Sequence, residues 1–304
     1  MRRRPLTLLL PALAALLLLS HCENSFTPKS PFRPQLVVFC VLNAADSVQV
    51  VRLAKSYDAD VALKTVPLTS AEVDSAVVVV KDPKRVYAFS DTVVASADGG
   101  MQRVWVSRAL RPQTGQAYTL TITVPGFEPV SVEARLPGKL YPWLKNEKSE
   151  AGIALLRVQP GYDDPRNVPY GYYYRMWIVC TRNDGGPPDQ TRAEVPAYYS
   201  SNTGEITWPV PTRSAEAVFP VPTIEHTYAQ LRGGDTLFIK KELVVKAFAF
   251  NESFYLYYKT VRGFDDQLSL RIDQPNLTFI PGGLGVFGAI NMDSARFNYS
   301  AYVK

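Results

Sequence analysis

The sequence predicts an all-β protein: an immunoglobulin- or fibronectin III-like β-sandwich over residues 35–137, then a second β-rich domain over 138–304 with at most one or two short helices. Three observations carry this. Short β-branched runs recur between clusters of turn formers, at the spacing of a sandwich. The clearest run, Tyr118 to Val124, alternates with a period of two. Helical spacing of apolar residues stands out in one place, Phe254, Tyr257 and Tyr258.

The chain opens with Arg2, Arg3 and Arg4, and from Leu6 to Leu19 all residues but Thr7 and Pro11 are apolar or small. This charged start and short apolar run predict a signal peptide over 1–21; the run falls short of the roughly 20 residues that span a bilayer. It ends in Leu19-Ser20-His21-Cys22, which resembles the lipobox of bacterial lipoproteins and marks Cys22 for lipidation, with His21 departing from the small residue usual before the cysteine. Residues 23–34 hold three prolines and no apolar periodicity, which predicts an extended tether. Lipid anchoring at the outer membrane is the expected location, with the membrane as partner.

In the first domain the expected strands are Leu36–Leu42, Val48–Leu53, Ala76–Val80, Val86–Phe89, Val104–Val106, Tyr118–Val124 and Val130–Ala134, divided by turns such as Pro112–Gly115 and Pro125-Gly126. Tyr118, Leu120, Ile122 and Val124 share one face, and Tyr118 is placed to form a tyrosine corner, its hydroxyl bonded to backbone upstream. Pro137-Gly138 closes this unit. The second domain's strands are expected at Ile153–Val158, Tyr172–Cys180, Glu205–Trp208, Thr236–Ile239 and Leu243–Phe250, with long loops between Thr181 and Val221. A short helix is expected at Asn251–Lys259, capped by Asn251 or Ser253.

Charge excludes one class of partner. Three of the 33 basic residues lie in the leader, and the remaining 30 stand against 28 acidic ones. With no Lys/Arg cluster beyond pairs such as Lys240-Lys241, nucleic-acid binding by counterion release has no basis.

Catalysis and metal binding also lack residues. Past the leader the only histidine is His226, without a ligand partner at helical spacing, so no metal, cofactor or enzyme activity is expected. Cys40 and Cys180 sit inside apolar runs and read as buried free thiols rather than a disulfide. Asp163-Asp164 and Asp265-Asp266 lie beside turn formers and read as solvated turn carboxylates. Gly283-Leu284-Gly285-Val286-Phe287-Gly288 matches G-x-G-x-x-G, but a dinucleotide site needs an acidic residue about 20 positions on, and only 16 residues follow Gly288. The segment instead predicts a turn with positive φ, leading into a terminal strand Val286–Ile290.

Tyrosine is in excess. Tyr170, Tyr172, Tyr173, Tyr174 and Trp177 crowd one segment, Tyr198 and Tyr199 another, and Tyr255, Tyr257 and Tyr258 a third. Consecutive rings on a strand point to both faces, so some are exposed, which suits sugar stacking or a protein interface. The ligand-facing residues expected are Tyr172, Tyr174, Tyr198 and Tyr199.

Tyr255–Tyr258, Asn276 and Gly282-Gly283-Leu284-Gly285-Val286-Phe287-Gly288-Ala289, together with Cys22, the tether, Pro34–Val38, Leu42-Asn43 and Val124-Pro125-Gly126, resemble a family of Bacteroidota lipoproteins known as a domain of unknown function. The resemblance implies an immunoglobulin-like domain before a second β-rich part, and an accessory role beside TonB-dependent outer-membrane transporters. It transfers no functional residue except Cys22. Similarity to Bacteroidota O-glycosylation sites marks Asp46-Ser47-Val48, Asp74-Ser75-Ala76, Asp91-Thr92-Val93, Asp235-Thr236-Leu237 and Asp293-Ser294-Ala295. The expected function is therefore a non-catalytic envelope lipoprotein that binds a transporter or its ligand; the alternative is a surface glycan-binding or adhesive module.

Overall fold

The computed structural model describes residues 33–56, 72–95, 101–182, 189–233, 238–262 and 278–303. The leader, Cys22, most of the tether, Asp265-Asp266, Asn276 and the Asp235-Thr236-Leu237 site lie outside them.

Seven strands build the first half: β1 (Leu36–Asn43), β2 (Gln49–Lys55), β3 (Val77–Lys81), β4 (Val86–Ala95), β5 (Met101–Ser107), β6 (Ala117–Thr123) and β7 (Val130–Arg135). Alternation decides which face each buries. Leu36, Val38, Cys40 and Leu42 of β1 point inward, as do Tyr118, Leu120 and Ile122 of β6. Each such side chain contributes about 1.5–3 kcal/mol when fully buried.

The long strand β4 is shared between two sheets. Its first part, Val86–Phe89, pairs with β3, and Ser90–Ala95 pairs with β5. The strands β4-β5-β2-β1 therefore face β4-β3-β6-β7, the pairing of an immunoglobulin-like sandwich. The corner forms as the sequence predicts: the Gln113 N–H donates to the buried Tyr118 hydroxyl at 2.8 Å.

The second half contains β8 (Leu140–Lys148), β9 (Ala154–Tyr162), β10 (Gly171–Arg182), β11 (Asp189–Val195), β12 (Tyr198–Tyr199), β13 (Ile206–Thr207) and β14 (Ala217–Pro220). Helix α1 (Val221–Arg232), β15 (Phe238–Phe250), α2 (Glu252–Arg262), β16 (Leu284–Asn298) and α3 (Tyr299–Tyr302) follow. The three-stranded sheet β14-β9-β8 packs over β11-β10-β15-β16 around a second core.

Residues 35–304 form one contact unit, and β16 is the reason. Its first part runs parallel to β1, from Val37 opposite Leu284 to Asn43 opposite Ile290. Its remainder runs antiparallel to β15, from Phe250 opposite Ile290 to Glu242 opposite Asn298. Ile280, Phe287 and Ala289, far along the chain, thus fill the first core.

Several local expectations need revision. Three helices are present among the described residues, one more than expected, and α1 was not anticipated. Its apolar positions Val221, Ile224, Tyr228 and Leu231 do follow helical spacing onto the second core, and Gly233 closes it at φ 55°. The expected strand Glu205–Trp208 is present as the short β13, but the rest of the Thr181–Val221 stretch, expected as long loops, also includes β11, β12 and β14. The two strands expected around Lys240-Lys241-Glu242 are one, because the buried carboxylate of Glu242 is paired by Lys240 and Arg296 and so does not interrupt the strand.

Asn251 does cap α2, its Oδ1 accepting from Phe254 N at 3.2 Å and also from Ala289 N of β16 at 2.9 Å. The helix sits so close to β16 that a Cβ on Gly288 would lie 2.6 Å from Phe254 Cβ. The turn falls at Pro281–Gly283. Gly285, with a positive φ of 101°, lies inside β16, which begins before the expected Val286–Ile290 and runs beyond it because it goes on to pair with β15.

Candidate functional site

The rings expected to meet ligand divide between core and surface. Tyr172 and Tyr174 are not ligand-facing: they are 4 % and 2 % exposed, in the second core. The period of two explains it, since Tyr172, Tyr174, Met176, Ile178 and Cys180 all point inward along β10. Their hydroxyls are satisfied inside, Tyr174 donating to the Ala215 carbonyl at 2.7 Å and Tyr172 lying 3.0 Å from the Tyr162 hydroxyl. Burial raises both phenols well above their ordinary value. Tyr198 is exposed, but Tyr199 stacks face to face on His226, with centroids 3.7 Å apart. That stack gives the lone histidine a packing role.

Tyr173 and Trp177 occupy the opposite face of β10, where protein groups already cover them. Tyr173 packs against Phe248 at 5.6 Å, while Arg175 and Lys246 sit over Trp177 at 4.8 and 5.3 Å.

Tyr198 and Trp208 are each 50 % exposed but stand on or beside the two-residue strands β12 and β13, whereas the outer side of β14-β9-β8 carries two uncovered rings on one strand. Along β8, Leu140, Pro142 and Leu144 point inward, while Tyr141, Trp143 and Lys145 point out. Tyr141 and Trp143 are 47 % and 46 % exposed. Opposite Tyr141 on β9 stands Gly161, which leaves that ring uncovered on its strand-neighbour side, and opposite Trp143 stands Gln159. Lys139 Nζ lies 5.2 Å from the Tyr141 ring and 3.6 Å from Asp293.

Beside the rings runs a connected polar ladder. Arg157 Nε donates to Glu147 and its terminal nitrogen to Glu216, each at 2.7 Å. Lys145 reaches Glu147 at 2.9 Å, and the Gln159 amide donates to the other oxygen of Glu216. The hydrogen bond from Lys145, then that from Arg157, holds Glu147 below its ordinary value; Gln159, then Arg157, do the same for Glu216. Glu147 and Glu216 together raise Arg157. The ladder is thus ionised at neutral pH; Lys145 is exposed, while Glu147, Arg157, Gln159 and Glu216 are half-buried in the sheet surface.

At its far end β8 leads into a cleft of about 550 Å³. Asn146, Glu147 and Lys148 form one wall, Pro222 and Glu225 of α1 another, and Tyr302 of α3 closes it.

Other candidates behave as turn and strand chemistry. Asp163 accepts from Lys139 N, and Asp164 accepts from Arg166 and Asn167, so the pair ties down a turn. Cys40 and Cys180 are free and buried, one in each core. Among the described residues no cluster of metal-ligating groups occurs, and no helix is long and apolar enough to cross a membrane. Thr92 and Ser294 of two O-glycosylation-like sites lie within β4 and β16.

The importance of β8 escaped the sequence reading. Leu140-Tyr141-Pro142-Trp143-Leu144 has a period-two pattern, but both alternating sets are apolar or aromatic and a proline interrupts the run, so inward and outward rings look alike.

Fold and site together define an immunoglobulin-like β-sandwich protein extended by a second, sheet-sharing sandwich with an open aromatic and polar face. The chain belongs to the family described as Domain of unknown function (DUF4249), which it matches over residues 23–296. No curated protein matches it. Among solved structures it is similar to a two fibronectin type-III domain segment from chicken tenascin, at 12% identity, with a TM-score of 0.17, over 87% of this chain and 98% of that one.

Proposed function

We propose that this chain is a non-catalytic, lipid-anchored envelope protein of the Bacteroidota type, serving as an accessory binding component of a TonB-dependent outer-membrane transport system. The observation that carries the binding role is the outer face of β14-β9-β8, where Tyr141 and Trp143 stand half-exposed beside the Glu147–Arg157–Glu216–Gln159 ladder. Exposed rings of this size beside fixed hydrogen-bonding groups suit recognition of a partner or ligand at an open surface. The leader and Cys22 supply the anchor, and the proline-rich tether supplies reach.

The non-catalytic part rests on where reactive groups are used. His226 is stacked on Tyr199, both thiols are buried, and the site's carboxylates are engaged by cations or amides. The alternative, a surface glycan-binding module, is favoured by the mixture of rings and planar polar groups on the same face.

The test is to fractionate cells carrying the wild type or Cys22→Ala, then to extract native membranes in mild detergent and recover the chain with its partners. The proposal expects wild type in the outer membrane with a transport protein co-purifying, and the variant released. Retention of Cys22→Ala on membranes after a high-salt wash would remove the lipid reading. Recovery without any outer-membrane transport protein would remove the accessory role.

A further inference from the structure

The face just described has direction as well as composition. Tyr141 and Trp143 stand at one end of the outer face of β8, Lys145 and Glu147 continue the same row, and the cleft of about 550 Å³ lies at the other end. From Tyr141 to Glu147 is six residues of strand, about 20 Å at the usual rise. A monosaccharide would cover only part of such a row; a short extended chain of rings would follow it.

The chemistry along the row alternates. Rings at i and i+2 project to the same side of a strand and present neighbouring apolar surfaces. Between and beyond them stand an amide (Gln159), a guanidinium (Arg157), an ammonium (Lys145) and two carboxylates (Glu147, Glu216), cross-linked so that their geometry is set before anything binds. Donors and acceptors are both present. With Lys139 and Asp293 included, three cations stand against three carboxylates, so the row has no net charge to attract a polyanion or a polycation.

A flat protein partner would be served by a continuous apolar patch, yet here the two rings are separated from the exposed Val218 of β14 by charged, hydrogen-bonded side chains. A peptide adding to the sheet would need a free edge, whereas this surface is the sheet's face. A pyranose chain has the matching pattern: apolar C–H faces that stack on rings and equatorial hydroxyls that both donate and accept.

We infer that the outer face of β14-β9-β8 binds an uncharged oligosaccharide, with Tyr141 and Trp143 stacking on its sugar rings, the Gln159–Glu216–Arg157–Glu147 ladder hydrogen-bonding its hydroxyls, and the cleft between β8 and α1 receiving the end of the chain. The inference rests on the binding reading above and names the ligand class for that face. It moves the sugar-stacking rings from Tyr172 and Tyr174, which lie in the core, to β8.

The experiment is isothermal titration calorimetry on the full chain, extracted in detergent, with a panel of neutral hexasaccharides covering α- and β-linked glucose, mannose, galactose and xylose backbones, and hexagalacturonate as the anionic counterpart. At least one neutral hexasaccharide is expected to bind saturably. Tyr141→Ala and Trp143→Ala should each weaken it at least about tenfold, since a central tryptophan or tyrosine carries that much of an interface. Trp177→Ala, on the other sheet, should leave affinity within about twofold. Thermal melts of each variant separate lost binding from lost folding, and Trp143→Phe, which keeps a ring, should recover part of the affinity.

Failure of every neutral hexasaccharide, binding indifferent to Tyr141 and Trp143, or tighter binding of the galacturonate would each overturn the inference. So would concentration-dependent self-association abolished by Trp143→Ala, which would make the face a contact between copies. These outcomes leave recovery of a membrane partner intact, so failure here is distinguishable from failure of the accessory role.

Discussion

Gly285 offers the sharpest test of how the two halves are joined. It lies in the parallel pairing of β1 and β16, opposite Val38, with φ at 101°. A side chain there meets two obstacles. Positive φ costs a non-glycine residue about 1–3 kcal/mol. In addition, a Cβ would lie 2.0 Å from the Val38 carbonyl oxygen, so the β1 backbone must retreat by about 1 Å or more and give up local pairing, a further cost of about 1 kcal/mol.

Gly285→Ala should therefore lose about 3 kcal/mol, lowering the melting temperature by about 6–10 °C for a chain of this size. Gly282 isolates the first obstacle: its φ is 75° and nothing lies within 4 Å of its would-be Cβ. Gly282→Ala should cost about 1 kcal/mol. Thermal and urea unfolding followed by circular dichroism would measure both. If Gly285→Ala melts within about 1 °C of Gly282→Ala, the close approach of β16 to Val38 is not limiting and this account of the seam fails. Saturable NAD or FAD binding by the wild type, lost in Gly285→Ala, would instead reinstate the dinucleotide reading of the glycine motif.

Tyr118→Phe leaves the Gln113 N–H without its acceptor and should cost about 1–2 kcal/mol in urea unfolding; an unchanged midpoint would deny the corner a stabilising role. Asn251→Ala removes one oxygen that serves both α2 and β16, and should cost about 1–2 kcal/mol while speeding amide exchange at Phe254 and Ala289 together; faster exchange at Phe254 alone would separate cap from seam. Cys40 and Cys180 should resist a thiol reagent at pH 8 in the native chain and react on unfolding, because burial raises both thiols; two native equivalents reacting at once would contradict their placement. Glu147 and Glu216 are held below the ordinary glutamate value of 4.5, so the ladder's contribution is full above that value and is lost as pH falls through their lowered ones. Carboxyl chemical shifts that titrate above 4.5 would refute it.

The sequence by itself determined the fold class, the first sandwich and its corner, the cap on α2 and the backbone demand at Gly285. Each of these is local. A period of two assigns faces within a strand, an asparagine before a helix satisfies amide groups a turn away, and a glycine beside a strand signals an angle other residues avoid.

What only the tertiary structure decided is long-range. Nothing near Leu284 says that its strand will lie parallel to one beginning at Leu36, because parallel pairing leaves no turn between partners to announce it. Likewise the alternation of Tyr172, Tyr173 and Tyr174 shows that neighbouring rings face opposite ways, but which set is buried depends on where β14-β9-β8 packs. That packing carries Tyr172 and Tyr174 into the core and leaves Tyr141 and Trp143 on the surface. Periodicity fixes the alternation of side chains; only the layer laid against a sheet determines which alternate set meets water.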